Sequence, residues 1–342
     1  MVGNTLSLGN FNEENALPLT FLNQDYWHAS IEVDPQEHPV LEYHYIFSNE
    51  KGEVSKEGER ARRIDLSKET AQHLFVEDTW NYAGLYENAF YTAPFKEIYL
   101  KHKTSPKVKK ARHYTHIFKV KAPLLAAGEC VCLVGAGASL MDWDLTNPIL
   151  MERDGDWWTA KLGLYYAESP IAYKYGVYDI KRGTFVRFED GDNRLLHIEN
   201  VESSLTVLHD GFVRLPNNTW KGAGVAIPVF SLRSQASFGV GEFTDLKLLA
   251  DWAAQTGLKM IQILPINDTS ATFGWVDSYP YAAISAFALH PIYINLTKVA
   301  GKKYAQVLKP TLKKQKQLNA LAEVDYEKVM HFKMELLREL YD

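Results

Sequence analysis

The sequence predicts a multidomain chain: two all-β sandwiches, the first one incomplete, followed by the beginning of an α/β domain. Three observations carry this: a module that repeats at an offset near 131 residues, a change of texture after about residue 215, and an aromatic content of 13%. Tyr, Phe and Trp favour strands and stacking surfaces, and 342 residues suit two or three domains of ~100–200 residues each.

The repeat is read from spacing. Val2-Gly3, then Leu8 and Phe11, have the spacing of Val134-Gly135, then Leu140 and Trp143. Tyr26-Trp27 answers Trp157-Trp158, and Tyr43-His44-Tyr45 answers Tyr173-Lys174-Tyr175. Val54-Ser55-Lys56-Glu57-Gly58 answers Val186-Arg187-Phe188-Glu189 with Gly191 just beyond. Short alternating runs between turn clusters such as Asp154-Gly155-Asp156 and Asp190-Gly191-Asp192-Asn193 read as strands of a small sandwich. The second copy has leading strands near 116–120 and 130–134, for which the first has no full counterpart. A sandwich without its opening strand leaves an edge unpaired, so the chain is expected to be truncated at its N-terminus. The expected domains are a first module over 1–103, a polar basic linker over 104–112, a second module over 113–214 and a third region over 215–342.

In the third region, the apolar run 224–230 suits a strand buried on both faces. Thr244-Asp245 would cap a helix through Leu246, Leu248, Leu249, Trp252 and Ala253 that ends at Gly257, and 260–266 reads as the next buried strand. Strand, helix, strand is a βαβ unit, hence a parallel sheet. The Lys-rich tail carries Val329, Phe332, Leu336 and Leu340 at helical spacing and stops without a cap, which predicts a second truncation.

A net charge of −5 argues against nucleic acid or an anionic membrane as partner. Cys130 and Cys132 sit at alternate strand positions, do not suit a disulfide and have no partners for zinc, so no metal is expected. The first residues lack a signal peptide's h-region and no run reaches the ~18 apolar residues of a spanning helix, so a cytoplasmic location is expected.

Gly135-Ala136-Gly137 begins like a dinucleotide fingerprint, but no third Gly follows and no amphipathic helix starts there. The corresponding turn, Gly3-Asn4-Thr5, lacks the second Gly. These glycines are expected to turn the chain and present Trp143. Trp143, Lys174, Phe188, Glu189 and Asn193 come from different strands and turns of the second copy. Aromatic faces stack on sugar C–H surfaces while Lys, Glu and Asn pair with hydroxyls; the alternative for any one aromatic is simple core packing.

The segments "LVGAGASLMDWD", "AYKYGVYD" and "VRFEDGDNRLL" resemble the starch-binding module known from the C-terminus of glucoamylase. The resemblance implies Trp143 as the first stacking platform, with Lys174, Glu189 and Asn193 as polar partners. Phe188 stands where a second Trp is usual. In the first copy "LSLGNF" puts Phe11 in the Trp position, His44 replaces the Lys and Glu57 remains, which implies a weaker binder or a spacer.

The stretch from Pro228 to Leu296, with "LRS…GVGEFTDL", "LPI" and "SYPYAAISAFALHP", resembles the start of the 4-alpha-glucanotransferases, the amylomaltase or disproportionating enzymes. The order of parts, and "VEDTWNYAGLYENAFYTAPF", resemble the branch with tandem starch-binding modules. The resemblance implies a (β/α)₈ barrel with a helical insertion and retaining transfer of α-1,4-glucan. Starch, glycogen, maltose and maltooligosaccharides are the implied partners, without a cofactor. The family's catalytic carboxylates come from its fourth, fifth and seventh strands, so no catalytic residue is assigned here. Glu242, Asp245, Asp268 and Asp277 lie near the two strand-end loops. Asp245 reads as a helix cap, and Asp268 and Asp277 as turn formers. Tyr281 matches the Tyr of the family's "SPYxxxS" motif, so Tyr281 and Asp277 are the expected barrel contacts to substrate; His290 reads as structural. The competing class is a non-catalytic starch-binding or scaffolding protein.

Overall fold

The computed structural model describes every residue except 59, 60, 68, 102–104, 109, 110, 166–168, 199, 200, 217–219 and 342. Part of the expected linker, the Asn217-Asn218-Thr219 sequon and Asp342 therefore lie outside the described residues. The chain divides into two compact units, Met1–Thr219 and Trp220–Asp342. Both sandwich modules thus fall within one unit.

The second module is a complete two-sheet sandwich. One sheet orders Ile149–Leu150, Glu129–Gly135, Ile171–Asp179 and Thr184–Phe188 by antiparallel pairing, with Arg194–Leu196 also on Ile171–Asp179. The other orders Glu152–Asp154, Trp157–Leu162, an opening strand His116–Lys121 and a closing strand Ser204–Phe212. Opening and closing strands run parallel, with Val207 beside Ile117. Their inward residues meet the facing sheet in a core that includes Phe118, Leu133, Leu140, Trp158, Tyr173 and Leu208. Cys130 and Cys132 are buried free thiols, each pushed up to about 12 by burial.

The first module repeats this on a smaller scale. Val2–Gly3, Val40–His44 and Arg62–Asp65 form an antiparallel sheet over Leu8, Leu41, Tyr43 and Ile64. The registers agree with the repeat: Val2 faces His44 as Val134 faces Lys174. Among the described residues no strand of the first module plays the part of His116–Lys121. Its hairpin Thr20–Phe21 with Trp27–His28 therefore stands apart, leaving Trp27 57% exposed where Trp158 is 3% exposed. The closing strand of this module, His73–Asp78, instead joins the second module's sheet, parallel to Ser204–Phe212.

In the other unit, Gly224–Ile227 pairs in parallel with Met260–Ile263, connected through the helix Asp245–Thr256. Gly257 ends that helix in the left-handed region at φ 77°, its N–H bonding Ala253 O and Ala254 O, which is where Gly costs least. The expectation of strands buried on both faces is corrected: residues alternate between exposed and half-buried along both. One helix over two strands covers only one side. Even the helix leaves Leu248 58% and Trp252 50% exposed. The long helix Tyr326–Tyr341 buries Tyr326, Val329, Met330 and Leu336 against Val229, Val240, Ile292 and Phe238.

Candidate glucan-binding turns

The strand Glu129–Gly135 ends at a position only Gly can occupy. A Cβ on Gly135 would stand 2.6 Å from Ala172 O and 2.7 Å from Leu140 Cδ1. Gly3 is in the same position, with Leu8 Cδ1 2.6 Å from its hypothetical Cβ. After each glycine the chain makes a tight turn around a fully buried leucine, Leu140 or Leu8. Leu140 N–H and Asp142 N–H both bond Gly137 O, at 3.0 and 2.9 Å.

The turn then enters the left-handed region for three successive residues, Met141 (φ 64°), Asp142 (φ 44°) and Trp143 (φ 62°). The first module does the same at Gly9 (75°), Asn10 (49°) and Phe11 (60°). A bulky aromatic at positive φ is strained by about 1–3 kcal/mol and persists only where its surroundings over-determine it. Here the strain turns the aromatic out of the fold. Asp144 locks the exit by accepting from Thr146 N and Oγ1, as Asn12 accepts from Glu14 N. No helix N-terminus faces an anion here, so the nucleotide reading of Gly135-Ala136-Gly137 is replaced by an aromatic mount.

Trp143 is half-buried and its indole makes no ring contact or hydrogen bond among the described residues. Phe11 is exposed and its ring lies offset and nearly parallel to His44, 13° between planes and 6.2 Å between centroids. Lys174 lies 5.9 Å from the Phe188 centroid and donates to Gly191 O at 2.5 Å. Phe188 also leans on Phe185, at 4.7 Å. Asn193, two residues past Gly191, is exposed. The structure thus brings Lys174, Phe188 and the 190–193 turn together, and Phe11 with His44.

Glu189 and Glu57 are corrected as direct ligands. The buried Glu189 carboxylate accepts from Tyr175 N, from Arg194 Nε and Nη2 at 2.9 Å each, and from Arg214 N and Nε. Burial pushes its pKa up, but the Arg194 and Arg214 bonds outweigh this and hold it below the usual range. Glu57 does the same with Arg62, Tyr45 N and Asn81 N. With their oxygens engaged and shielded, these carboxylates brace the turn and do not face a sugar.

The arginines were not singled out from sequence. Each sits five residues after its glutamate and reaches an aspartate at the end of the closing strand. Arg62 meets Asp78 at 3.2 Å and Arg194 meets Asp210 at 3.7 Å. Tyr43 and Tyr45 hydroxyls donate to Asp78, and Tyr173 and Tyr175 to Asp210, at 2.6–2.8 Å. The usable signal was the repeat itself, extended to Arg62/Arg194 and Asp78/Asp210.

In the other unit Tyr281 is 59% exposed beside the equally open Tyr279, 5.5 Å between centroids. Asp277 is corrected. It is buried, and its carboxylate accepts from Thr272 N and Phe273 N at 2.7 Å each, so it ties its own loop. Asp268 accepts from Ser270 N and Oγ. Asp245 accepts from Ser234, Ser237 and Glu242 N, closing the first turn from inside in the manner of a capping box. Glu242 is buried and receives Phe238 N, Asn295 Nδ2 and Lys333 Nζ. His290 accepts from Ile292 N and meets Tyr326 OH at 3.0 Å, a structural role.

Residues 227–342 match the 4-alpha-glucanotransferase family, and residues 1–76 match the starch binding domain. The chain carries a 4-alpha-glucanotransferase segment and a starch-binding domain. The glucanotransferase segment and the modules before it are together 32% identical over 360 aligned positions to 4-alpha-glucanotransferase DPE2 of Oryza sativa subsp. japonica, covering all of this chain and 37% of that protein. The glucanotransferase segment alone is 38% identical over 118 residues to the 4-alpha-glucanotransferase of Chlamydia trachomatis serovar D, covering 34% of this chain and 21% of that protein. The chain therefore spans well under half the length of these relatives. A solved gamma-CGTase from alkalophilic Bacillus clarkii is similar over 30% of this chain and 15% of its own, at 23% identity and a TM-score of 0.26. The starch-binding match falls on the first module, which the sequence reading had placed as the weaker of the two.

Proposed function

We propose that this chain is the glucan-binding part and the opening βαβ unit of a cytoplasmic 4-alpha-glucanotransferase. Two tandem starch-binding modules precede a (β/α)₈ catalytic domain acting on starch, glycogen and maltooligosaccharides, with maltose among its donors. The observation that carries the binding half is the repeated left-handed turn, which mounts Trp143 and Phe11 on the same backbone at the same register. That repetition extends the starch-binding reading from the first module to the second.

Retaining glucan transfer uses two carboxylates ~5–5.5 Å apart, one as nucleophile and one as acid/base. Glu242, Asp245, Asp268 and Asp277 are each engaged in holding their own loops. The 342-residue chain therefore binds glucan without transferring it. In the whole enzyme the exposed Tyr281 stacks on a sugar at the catalytic face, and further strands cover the open side of the parallel pair. The test is calorimetric titration of the chain with maltoheptaose. Trp143→Ala should weaken the second-module site at least about tenfold, or ~1.4 kcal/mol; unchanged affinity removes that site, and glucosyl transfer by the chain alone refutes the division of labour.

A further inference from the structure

The way the two modules meet has a functional consequence. Across their seam, His73 N–H and Thr79 N–H donate to Ser203 O and His209 O, while Thr206 N–H turns the other way to Thr115 O. In both closing strands the odd-numbered residues face the seam, and repeat-equivalent positions have equal parity. The two modules thus meet through the same edge of the same strand, running parallel. Chirality then requires an approximate two-fold axis along the strands, with the module cores on opposite faces of the shared sheet. Side-chain burial agrees. Leu205 and Val207 pack with Leu74 on one face, while Leu208 enters the second module's core on the other.

The seam is tightly locked. His209 bonds Asp78, and Glu69 receives Tyr114 OH at 3.0 Å. Tyr91, from the segment after the first closing strand, leans on Phe212 at 6.2 Å, and Lys121 sits 5.2 Å from Tyr91 and 4.8 Å from Trp157. Lys96 pairs with Asp156.

We infer that the unit is a rigid two-site glucan binder, holding the Phe11 and Trp143 turns at one level on opposite flanks of the two-fold axis. A single short linear oligosaccharide cannot reach both, whereas separate outer chains of a branched α-glucan can occupy both. The inference rests on the reading of both turns as glucan sites. Linked sites raise avidity by about 10²–10⁴ without any new contact, provided geometry lets both engage.

The experiment compares maltoheptaose with glycogen as probes of the full 342-residue chain. Two maltoheptaose molecules should bind per chain, falling to one in Phe11→Ala and one in Trp143→Ala. Glycogen affinity should fall at least about tenfold in either variant. Phe11→Trp, which enlarges the exposed face without touching the core, should tighten glycogen binding. A stoichiometry of one with glycogen affinity indifferent to Phe11 overturns the two-site inference while sparing the Trp143 site. Absence of any maltoheptaose binding overturns the glucan-binding reading as well.

Discussion

His209 Nδ1 stands 2.5 Å from Asp78 Oδ1, joining the closing strands of the two modules with both side chains almost wholly buried. The bond has no counterpart elsewhere in the repeat. Asp210, equivalent to Asp78, keeps the two tyrosines and the arginine but gains no histidine, because Glu77 occupies the position equivalent to His209. The two aspartates differ accordingly. Burial raises both, but His209, Arg62 and Tyr43 hold Asp78 down to about 2, whereas Asp210 remains raised.

Removing the acceptor at the seam should be severe. Asp78→Ala leaves Arg62, Tyr43, Tyr45 and His209 facing an empty, buried position. Breaking a buried pair by deleting one partner costs about 3–5 kcal/mol. Urea unfolding followed by tryptophan fluorescence should show a loss of this size; under about 1 kcal/mol, the seam would not be a determinant of stability.

Acid should weaken the unit in two steps. Burial lowers His209, against the pull of Asp78 and with Lys119 and Arg62 adding like charge. Burial likewise lowers His116, to about 4 from 6.5. A depressed histidine is protonated first in the unfolded chain, so its stabilisation is complete above pH 6.5 and falls as pH drops toward the folded value. His116 alone accounts for about 3 kcal/mol of this fall. The depressed Asp78 adds a second loss between 3.8 and about 2. Scanning calorimetry should give a melting temperature that is level near pH 7.5 and declines below 6.5, with a shallower decline in His116→Gln.

Glu189→Gln separates bracing from direct contact. The neutral amide leaves Arg194 and Arg214 without their counter-charge, so stability should fall by about 2–4 kcal/mol. Maltoheptaose affinity, measured at a temperature where the variant remains folded, should stay within about twofold, because the side chain does not reach the sugar. A variant of normal stability with lost affinity would restore Glu189 to the ligand set.

These residues also mark what was legible in advance. The turn could be read because its constraints are local and occur twice: a glycine against the neighbouring strand, a leucine plug, an outward aromatic. Glu57 and Glu189 misled because a glutamate near a turn has the same local sequence whether it faces solvent or a buried arginine. The seam was invisible for the opposite reason. His209 and Asp78 are 131 residues apart and occupy non-equivalent positions, so neither periodicity nor repetition marks them. In the other unit the βαβ order was legible from apolar runs, but burial on both faces was not, since it depends on neighbouring elements.

The helix Asp245–Thr256 should respond as a surface. Leu248 and Trp252 are more than half and half exposed, so Leu248→Lys with Trp252→Glu should change unfolding free energy by no more than about 0.5 kcal/mol. The same change should reduce self-association of the chain in light scattering and lower its binding of a hydrophobic dye. A large destabilisation would show that this face is packed in solution.

Lys333 tests how the loops of the glucanotransferase segment are held. Its ammonium is fully buried and donates to Glu242 Oε1 at 2.5 Å, Ile292 O at 2.6 Å and Ile294 O at 2.9 Å. Burial depresses Lys333 while Glu242 pulls it back, and burial raises Glu242 while Lys333 pulls it down, so each keeps the other charged. Lys333→Met should therefore cost about 3–5 kcal/mol, mostly by leaving Glu242 buried without a cation. Adding Glu242→Gln should recover part of that loss, because the amide needs no counter-charge and can still accept from Phe238 N. A double-mutant cycle in urea should give a coupling of about 1–3 kcal/mol. Strict additivity would mean that the two side chains stabilise the loops independently, each through its own backbone hydrogen bonds.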